Sequence, residues 1–514
     1  MVSPQLSKGI KAVTVIGAGA YSVNWLVRQH QEKHLSPAPL TNMATPSPPK
    51  NDAPYDHRPF TLLTQTDIDT RLRSGQSISK LDHAQHQVKG VKAIYSNQLP
   101  SNDPVEDNYS IHTFQNGLIA GVYDGHIGPQ CSRLIKKQLP IYMARELSAT
   151  LSSTPAGNKE SAHSTEETAI STAFDNLDQD IQQRFYDLFP RNVKYATEND
   201  IRSAIARQPD RAKTEAIITE AIHGSCACTV YIKEGYVYAA NTGDSRVVIV
   251  SQDEDGSWKG RRLVEEESPA NPEWKAHMLS QHPSDESDVL VMRKRIFGLI
   301  AVGGSFGDIM YKVPVEYQMK VLPFIPYDIY KTFARYHHRI VVNYKTPPYL
   351  RSTPLIAKHK LTNNDKFIIL GTDGLWDELS WDDVRSTEGD QVAAHIMSRW
   401  QTSSPTTEKE PNPATHMLRE ALLYEAVYKN VGQRRKVEDS TLELSKRLTR
   451  KPSRRYRDDI TITVIELGNE EVSASSEDVG PARHVEEVDV SEPRLVNPKS
   501  SKSSWLLGWI GSRL

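Results

Sequence analysis

An α+β layered domain is the fold class this sequence predicts. Two observations carry it: β-rich runs that follow one another with only short turns between, and long stretches elsewhere whose apolar residues recur at helical spacing. Runs at residues 226–232, 236–241 and 246–251 are separated by Lys233-Glu234-Gly235 and Thr242-Gly243-Asp244-Ser245, the punctuation of an antiparallel meander. Residues 367–370 and 460–466 add two strands, and GLIAGVY at 117–123 reads as one more, buried along its length. Ile170, Phe174, Leu177, Ile181, Phe185 and Leu188 recur with helical period, as do Ile201, Ile205 and the run ending at Ala221-Ile222. Antiparallel strands interleaved with such helices call for helices covering sheet faces. No internal repeat is present.

Composition bounds the function. The chain has 514 residues, 38% hydrophobic and 25% charged, with 62 basic against 64 acidic side chains. That balance gives no footprint of a nucleic-acid binder. Cys131, Cys226 and Cys228 are too few for a disulfide framework, and Cys226-Ala-Cys228 has the wrong spacing for a zinc knuckle or thioredoxin-like motif. Core thiols in a reducing compartment are the expectation.

The ends read differently from the middle. Residues 1–34 hold Lys8, Lys11, Arg28 and Lys33 with no acid before Glu32, the composition of a mitochondrial targeting segment. Residues 12–27 are uncharged, and this length falls just below the roughly 17–25 residues that span a bilayer, so the targeting segment with and without a short membrane anchor are both open readings. VIGAGAYS in this segment imitates a dinucleotide-binding loop, but the prolines that follow leave no helix or acidic ribose ligand at the usual distance. A Pro/Ser-rich linker is expected at 35–58, a folded domain at 59–468, and a disordered acidic tail at 469–514 ending in Ser512-Arg513-Leu514, a variant of the peroxisomal address. Polar loops are expected at 152–165, 402–415 and 429–457. The last holds eleven Lys or Arg and reads as a solvated loop or a site for an acidic protein partner.

Acids gather at the ends of strands. Glu106-Asp107 precedes one, Asp124-Gly125-His126 and Asp373-Gly374 each end one, and Asp458-Asp459 begins another. A single Asp-Gly is ordinarily a turn or a helix cap. At least four such carboxylates, from four strand ends gathered at one edge of a core, would strongly oppose ionisation unless cations were present. Hard divalent ions with oxygen ligands, Mg²⁺ or Mn²⁺, meet that requirement, and Gly125 lets the backbone carbonyl approach an ion. Two such ions about 4 Å apart activate a water and clamp a phosphoryl oxygen, so metal-dependent phosphate hydrolysis is the reaction class favoured. His126, beside the cluster, suits protonation of the departing oxygen, against the commoner reading of a structural histidine.

These residues resemble the metal-dependent, type 2C Ser/Thr protein phosphatases. The matches are Glu106-Asp107, Asp124-Gly125-His126-Ile127-Gly128, Gly224-Ser225, Ala240-Asn241-Thr242-Gly243-Asp244-Ser245-Arg246, Phe306-Gly307-Asp308, Gly371-Thr372-Asp373-Gly374-Leu375-Trp376-Asp377 and Arg457-Asp458-Asp459-Ile460-Thr461, in the family's order. Residues 96–102, 254–258, 343–350 and 456–459 resemble the branch of mitochondrial pyruvate dehydrogenase phosphatases and their fungal relatives.

The resemblance implies a central β-sandwich of two antiparallel sheets flanked by helices, a four-layer αββα arrangement, with a binuclear Mg²⁺/Mn²⁺ site at one end. It implies that Asp124 bridges both ions and acts in catalysis, that the Gly125 carbonyl binds one, and that Asp373 and Asp458 bind the other. Asp107 and Glu106 would ligate nearby or hold metal-bound waters, and Asp244 and Asp377, with Asp373, would form a weaker third site. A bridging hydroxide would attack phosphorus without a phosphoenzyme, with His126 as acid. Asp459 stands where many members have Asn. Asn102 stands where many members have a phosphate-clamping Arg, and a neutral amide supplies neither charge nor fork. Gly303-Gly304-Ser305 and residues 268–271 depart from the usual substrate-facing flap. The implied substrate is a mitochondrial phosphoprotein, pyruvate dehydrogenase first. The alternatives are other mitochondrial or peroxisomal phosphoproteins and a catalytically silent regulator on the same fold.

Overall fold

The computed structural model describes residues 58–81, 88–153, 165–326, 337–380, 388–403, 410–428, 439–468 and 479–496. Every residue of strand β4 (Gly117–Tyr123) is buried, and strand alternation explains how. Leu118, Ala120 and Val122 face a core shared with Val91, Ile94 and Ile368, while Ile119 and Tyr123 face a second core with Ile135, Leu139 and Phe174. Strand β15 (Asp365–Gly371) does the same from the other sheet: Ile368 and Leu370 join the shared core, and Phe367 and Ile369 meet Trp376, Met397 and Leu418. Two sheets packed face to face, each with a helical layer outside, give the four-layer αββα fold.

The six-stranded sheet runs β14 (Leu355–Lys360), β8 (Tyr236–Thr242), β7 (Ala227–Lys233), β4, β3 (Asn108–Phe114), β18 (Glu486–Glu487). The seven-stranded sheet runs β10 (Trp258–Arg262), β9 (Arg246–Gln252), β15, β16 (Ile460–Leu467), β2 (Val91–Leu99), β1 (Ser77–Lys80), β17 (Ala482–His484). A small sheet joins β13 (Phe306–Gly307), β6 (Gly224–Ser225) and β5 (Gly125–His126), and β11 (Val291–Met292) pairs with β12 (Arg295–Ile296). Helices α2 (Gln130–Ser153), α3 (Thr165–Tyr186) and α5 (Arg211–Ile222) cover the first sheet; α7 (Asp373–Leu379), α8 (Glu388–Thr402) and α9 (Pro413–Tyr428) cover the second. Helices α1 (Gln65–Arg73) and α4 (Glu198–Ala206) both start from a capping box, Thr64 with Asp67 and Thr197 with Asp200. Helix α6 (Pro272–Ser280) starts from Asn271, whose side chain accepts from Glu273 N–H.

Four expectations change. The basic stretch is not all loop: α10 (Ser440–Thr449) occupies it, capped by Asp439, because Leu444 and Leu448 lie one turn apart and are buried against the second sheet's helices. Residues 479–496 are not an unstructured tail: Val479, Val485 and Val488 are buried, β17 pairs parallel with β1, and β18 pairs parallel with β3. Arg494 then closes the segment onto α3, its Nε and Nη2 donating to Asp180 at 3.0 and 3.1 Å. These two strands also make the sheets antiparallel everywhere except at those edges. Leu188 lies beyond the end of α3, buried in the turn that follows it. The three cysteines are free and buried.

Among the described residues no helix is long and apolar enough to cross a membrane. The targeting segment, most of the linker, residues 429–438 and the Ser512-Arg513-Leu514 terminus lie outside the described residues.

Candidate metal centre

Strand register gathers the acids. Asn108 pairs with Tyr123, so Asp107 and Asp124 stand side by side where β3 begins and β4 ends. Gly371 pairs with Arg246 on one side and Ile462 on the other, which brings Asp373 near Asp244 and near the start of β16. The turn after β8 carries Asp244, and the backbone N–H of Cys226 donates to the Asp124 carbonyl at 2.9 Å. Each sheet therefore sends its acids to the same end of the sandwich.

Asp124, Asp244 and Asp373 each offer a carboxylate oxygen within 4.8 Å of the others. The ionised forms are costly there. Burial, then Asp373, Asp107 and Asp244, holds the Asp124 carboxyl well above the usual range; burial, then Asp244 and Asp458, does the same to Asp373. Asp244 is pushed up to about 6 by burial and by Asp377, against the Cys226 thiol that donates to it at 3.4 Å. Asp107, 2% exposed, is raised by burial and Asp459 although Thr372 Oγ1 donates to it at 2.7 Å. Glu106 rises to about 7 through burial and the neighbouring Asp459. A donor set made wholly of crowded oxygens fits a hard divalent cation and not zinc, so these residues could coordinate such an ion.

Gly125 has a packing reason as well as the expected backbone one. A Cβ there would lie 2.3 Å from the Glu106 carbonyl oxygen and 2.7 Å from Ser132 Oγ, so only glycine lets the two acidic turns meet.

Asp458 and Asp459 diverge. Asp458 is ion-paired with Arg454 Nη1. Asp459, 1% exposed, turns to the loop before β3, accepting from the backbone N–H groups of Ser101, Asn102 (2.9 Å) and Glu106 (2.9 Å) and from Asn102 Nδ2 (3.0 Å). Asn102 Nδ2 also lies 3.2 Å from Glu106 Oε2. The expected phosphate-contacting amide is thus held at the rim of the acidic cluster by two carboxylates.

His126 sits on the small sheet, its Nε2 2.7 Å from Asp308 Oδ2, which also accepts from Ser305 Oγ at 2.7 Å. Burial alone would lower the imidazole pKa; Asp308 outweighs it and raises it. A Cβ on Gly224 would lie 1.9 Å from His126 Nε2 and 2.3 Å from Asp308 Oδ2, so this glycine makes the room for the pair. Asp308 adopts a left-handed φ of 47° and is fully buried. Sequence reasoning gave Asp308 no role and Arg454 no role, although Phe-Gly-Asp stood among the quoted motifs. The altered flap is anchored here too: Glu267 O accepts from Gly303 N–H at 2.7 Å, and its carboxylate accepts from Gly243 N–H at 3.3 Å.

Comparison with known proteins adds an independent line. Residues 110–395 match the family model described as Protein phosphatase 2C. The chain is similar to [Pyruvate dehydrogenase [acetyl-transferring]]-phosphatase 1, mitochondrial, of Homo sapiens, 26% identical over 442 residues covering 75% of this chain and 80% of that one. It is similar to the protein of the same name of Saccharomyces cerevisiae, 25% identical over 487 residues covering 83% and 78%. A solved serine-threonine phosphatase 2C from Toxoplasma gondii aligns with a TM-score of 0.44 and 14% identity, covering 76% of this chain and 99% of that one.

Proposed function

The chain belongs to the protein phosphatase 2C family and is a protein serine/threonine phosphatase, and on that premise we propose that it hydrolyses phosphoserine and phosphothreonine in mitochondrial phosphoproteins, pyruvate dehydrogenase first among them. The single observation that carries the chemistry is the convergence of Asp124, Asp244 and Asp373 within 4.8 Å. The substrate reading is supported by the chain's similarity to mitochondrial pyruvate dehydrogenase phosphatases and by Asn102 at the position where a charged clamp is common.

Asp124, the Gly125 carbonyl, Asp373 and Asp458 would hold two Mg²⁺ or Mn²⁺, with Glu106 and Asp107 beside them and Asp244 and Asp377 at a weaker third position. Such ions supply water activation and charge neutralisation at a phosphoryl group. The chain's own residues do the rest. Asp308 fixes the His126 ring through Nε2, so the proton given to the departing serine or threonine oxygen leaves from Nδ1. Asn102 would give one phosphoryl oxygen the amide hydrogen that it directs at Glu106, while its other amide hydrogen stays on Asp459 and keeps the group oriented. Mitochondrial residence through residues 1–34, and a peroxisomal fraction through Ser512-Arg513-Leu514, complete the reading.

The test is Mn²⁺-dependent release of phosphate from a phosphoserine peptide of pyruvate dehydrogenase. Wild-type turnover that Asp124→Asn abolishes is expected. Undiminished turnover in the variant would remove the metal-site reading, and an inert wild-type chain would favour a silent regulator. Deleting the last three residues of a reporter-tagged chain checks the peroxisomal fraction.

A further inference from the structure

The guanidinium of Arg454 lies at the acidic cluster on a turn stitched to the Asn102 loop. The turn Ser453–Arg455 is closed by Tyr456 N–H and Arg457 N–H donating to Ser453 O at 2.9 and 3.2 Å. Arg457 Nη2 donates to Pro100 O at 2.6 Å and its Nη1 to Leu99 O at 3.3 Å, while Ser101 Oγ donates back to Arg457 O at 2.8 Å. These bonds fix residue 454 relative to residue 102 across more than 350 positions of chain.

Arg454 pairs with Asp458 through Nη1, yet its side chain is 55% exposed. The field of its charge reaches past that partner, since Asp373, Asp124 and Glu106 also interact with it. A half-exposed guanidinium at a half-buried cluster of carboxylate oxygens has donors left for a second anion. Its planar fork matches a phosphoryl group, which a carboxamide cannot match in charge or in bidentate geometry. Asp458 is, moreover, one of the acids assigned to the metal, so its claim on Arg454 weakens when it is engaged there.

We infer that Arg454 binds the phosphoryl group of the substrate, supplying from the Ser453–Arg455 turn the positive charge that position 102 lacks. This rests on the phosphatase reading above. The rival role is purely structural: Arg454 would only hold Asp458 in place. The two roles differ in what they do to metal and to anion. A residue that positions Asp458 matters for metal affinity; a phosphate-binding residue matters for anion affinity at saturating metal.

The experiment uses the full chain loaded with Mn²⁺, in wild-type form and as Arg454→Gln and Arg454→Lys. Calorimetry gives the Kd for Mn²⁺ and, at saturating Mn²⁺, the Kd for inorganic phosphate; steady-state assays give KM and kcat for a phosphoserine peptide. In Arg454→Gln the phosphate Kd and the peptide KM should rise about ten- to hundredfold, as expected for a lost charged hydrogen bond, while Mn²⁺ binds at least as tightly as to wild type. Arg454→Lys should recover part of the loss. An unchanged phosphate Kd at saturating Mn²⁺, or a change explained wholly by weakened Mn²⁺ binding, overturns the inference. A wild-type chain that binds phosphate but hydrolyses no peptide overturns the phosphatase reading instead.

Discussion

The buried carboxylate of Asp459 accepts the backbone N–H of Glu106 at 2.9 Å, and through that bond the start of β16 sets the position of the acidic turn before β3. Ser101 and Asn102 give it their N–H groups as well. An amide at this position keeps one acceptor oxygen and turns an NH₂ group toward a donor.

Asp459→Ala strands three backbone donors in a half-buried loop. At about 1–3 kcal/mol for each unsatisfied group, offset where water reaches the loop, a net loss of about 3 kcal/mol is expected in urea unfolding. Asp459→Asn should fall between the two. Mn²⁺ affinity measured on the same variants should decline in the same order, because Glu106 and Asp107 lose their anchor.

A second buried network ties the Gly-Asp-Ser-Arg turn to α8. Arg246 Nε donates to Glu266, its Nη1 donates to Asp390 at 2.7 Å, and Arg262 Nε donates to Asp390 at 3.0 Å, all four side chains at most 5% exposed. Arg246 also lies 4.9 Å from the centre of the Trp376 ring. Two cations and two anions balance, so Arg246→Met leaves an uncompensated acid. A loss of about 3–5 kcal/mol is expected in denaturant unfolding, and adding Asp390→Asn to the variant should restore part of it.

The crowded cluster costs stability in the absence of metal. Asp124→Asn should therefore raise the metal-free stability by about 1 kcal/mol, since it removes one of the mutually repelling charges. Mn²⁺ at a hundredfold over its Kd should stabilise wild type by about 2.7 kcal/mol for each site, and the variant should lose that gain. Thermal melts with and without Mn²⁺ separate the two effects; a variant destabilised without metal would show that Asp124 acts there by packing alone.

Much of this was legible because one physical signal marked it. GLIAGVY and residues 367–370 are apolar without interruption because both faces of β4 and β15 are covered, and each run meets an acid within three residues of its end. Other features left weaker traces. Asp308 and His126 are 182 residues apart, and no local pattern joins them. Arg454 was one cation among eleven in a basic stretch, told apart only by the turn that aims it at Asp458. The only buried side chains larger than glycine in residues 479–496 are Val479, Val485 and Val488, set in an acidic run at a spacing too sparse to read as strand until β1 and β3 offer their edges. Helix α10 was masked for a similar reason, its two buried leucines surrounded by Lys446, Arg447 and Arg450.

His337 makes acid sensitivity measurable away from the metal centre. It is 5% exposed, and its Nε2–H donates to Gln318 Oε1 at 2.9 Å, while Gln318 Nε2 donates to Met310 O. Burial pushes its pKa down to about 4 from an ordinary 6.5. The folded chain thus holds the ring neutral where the unfolded chain binds a proton, so stability rises with pH across that interval. The contribution is complete above about pH 6.5 and is lost as pH falls toward about 4, to a total of about 3 kcal/mol. The carboxylates of the metal centre, raised by burial, slope the opposite way in metal-free protein, so wild type alone is ambiguous. The difference between wild type and His337→Gln isolates the histidine: the variant's stability should fall less between about pH 7 and about pH 4.5 in urea titrations, and identical slopes would show that this ring does not titrate as its burial requires.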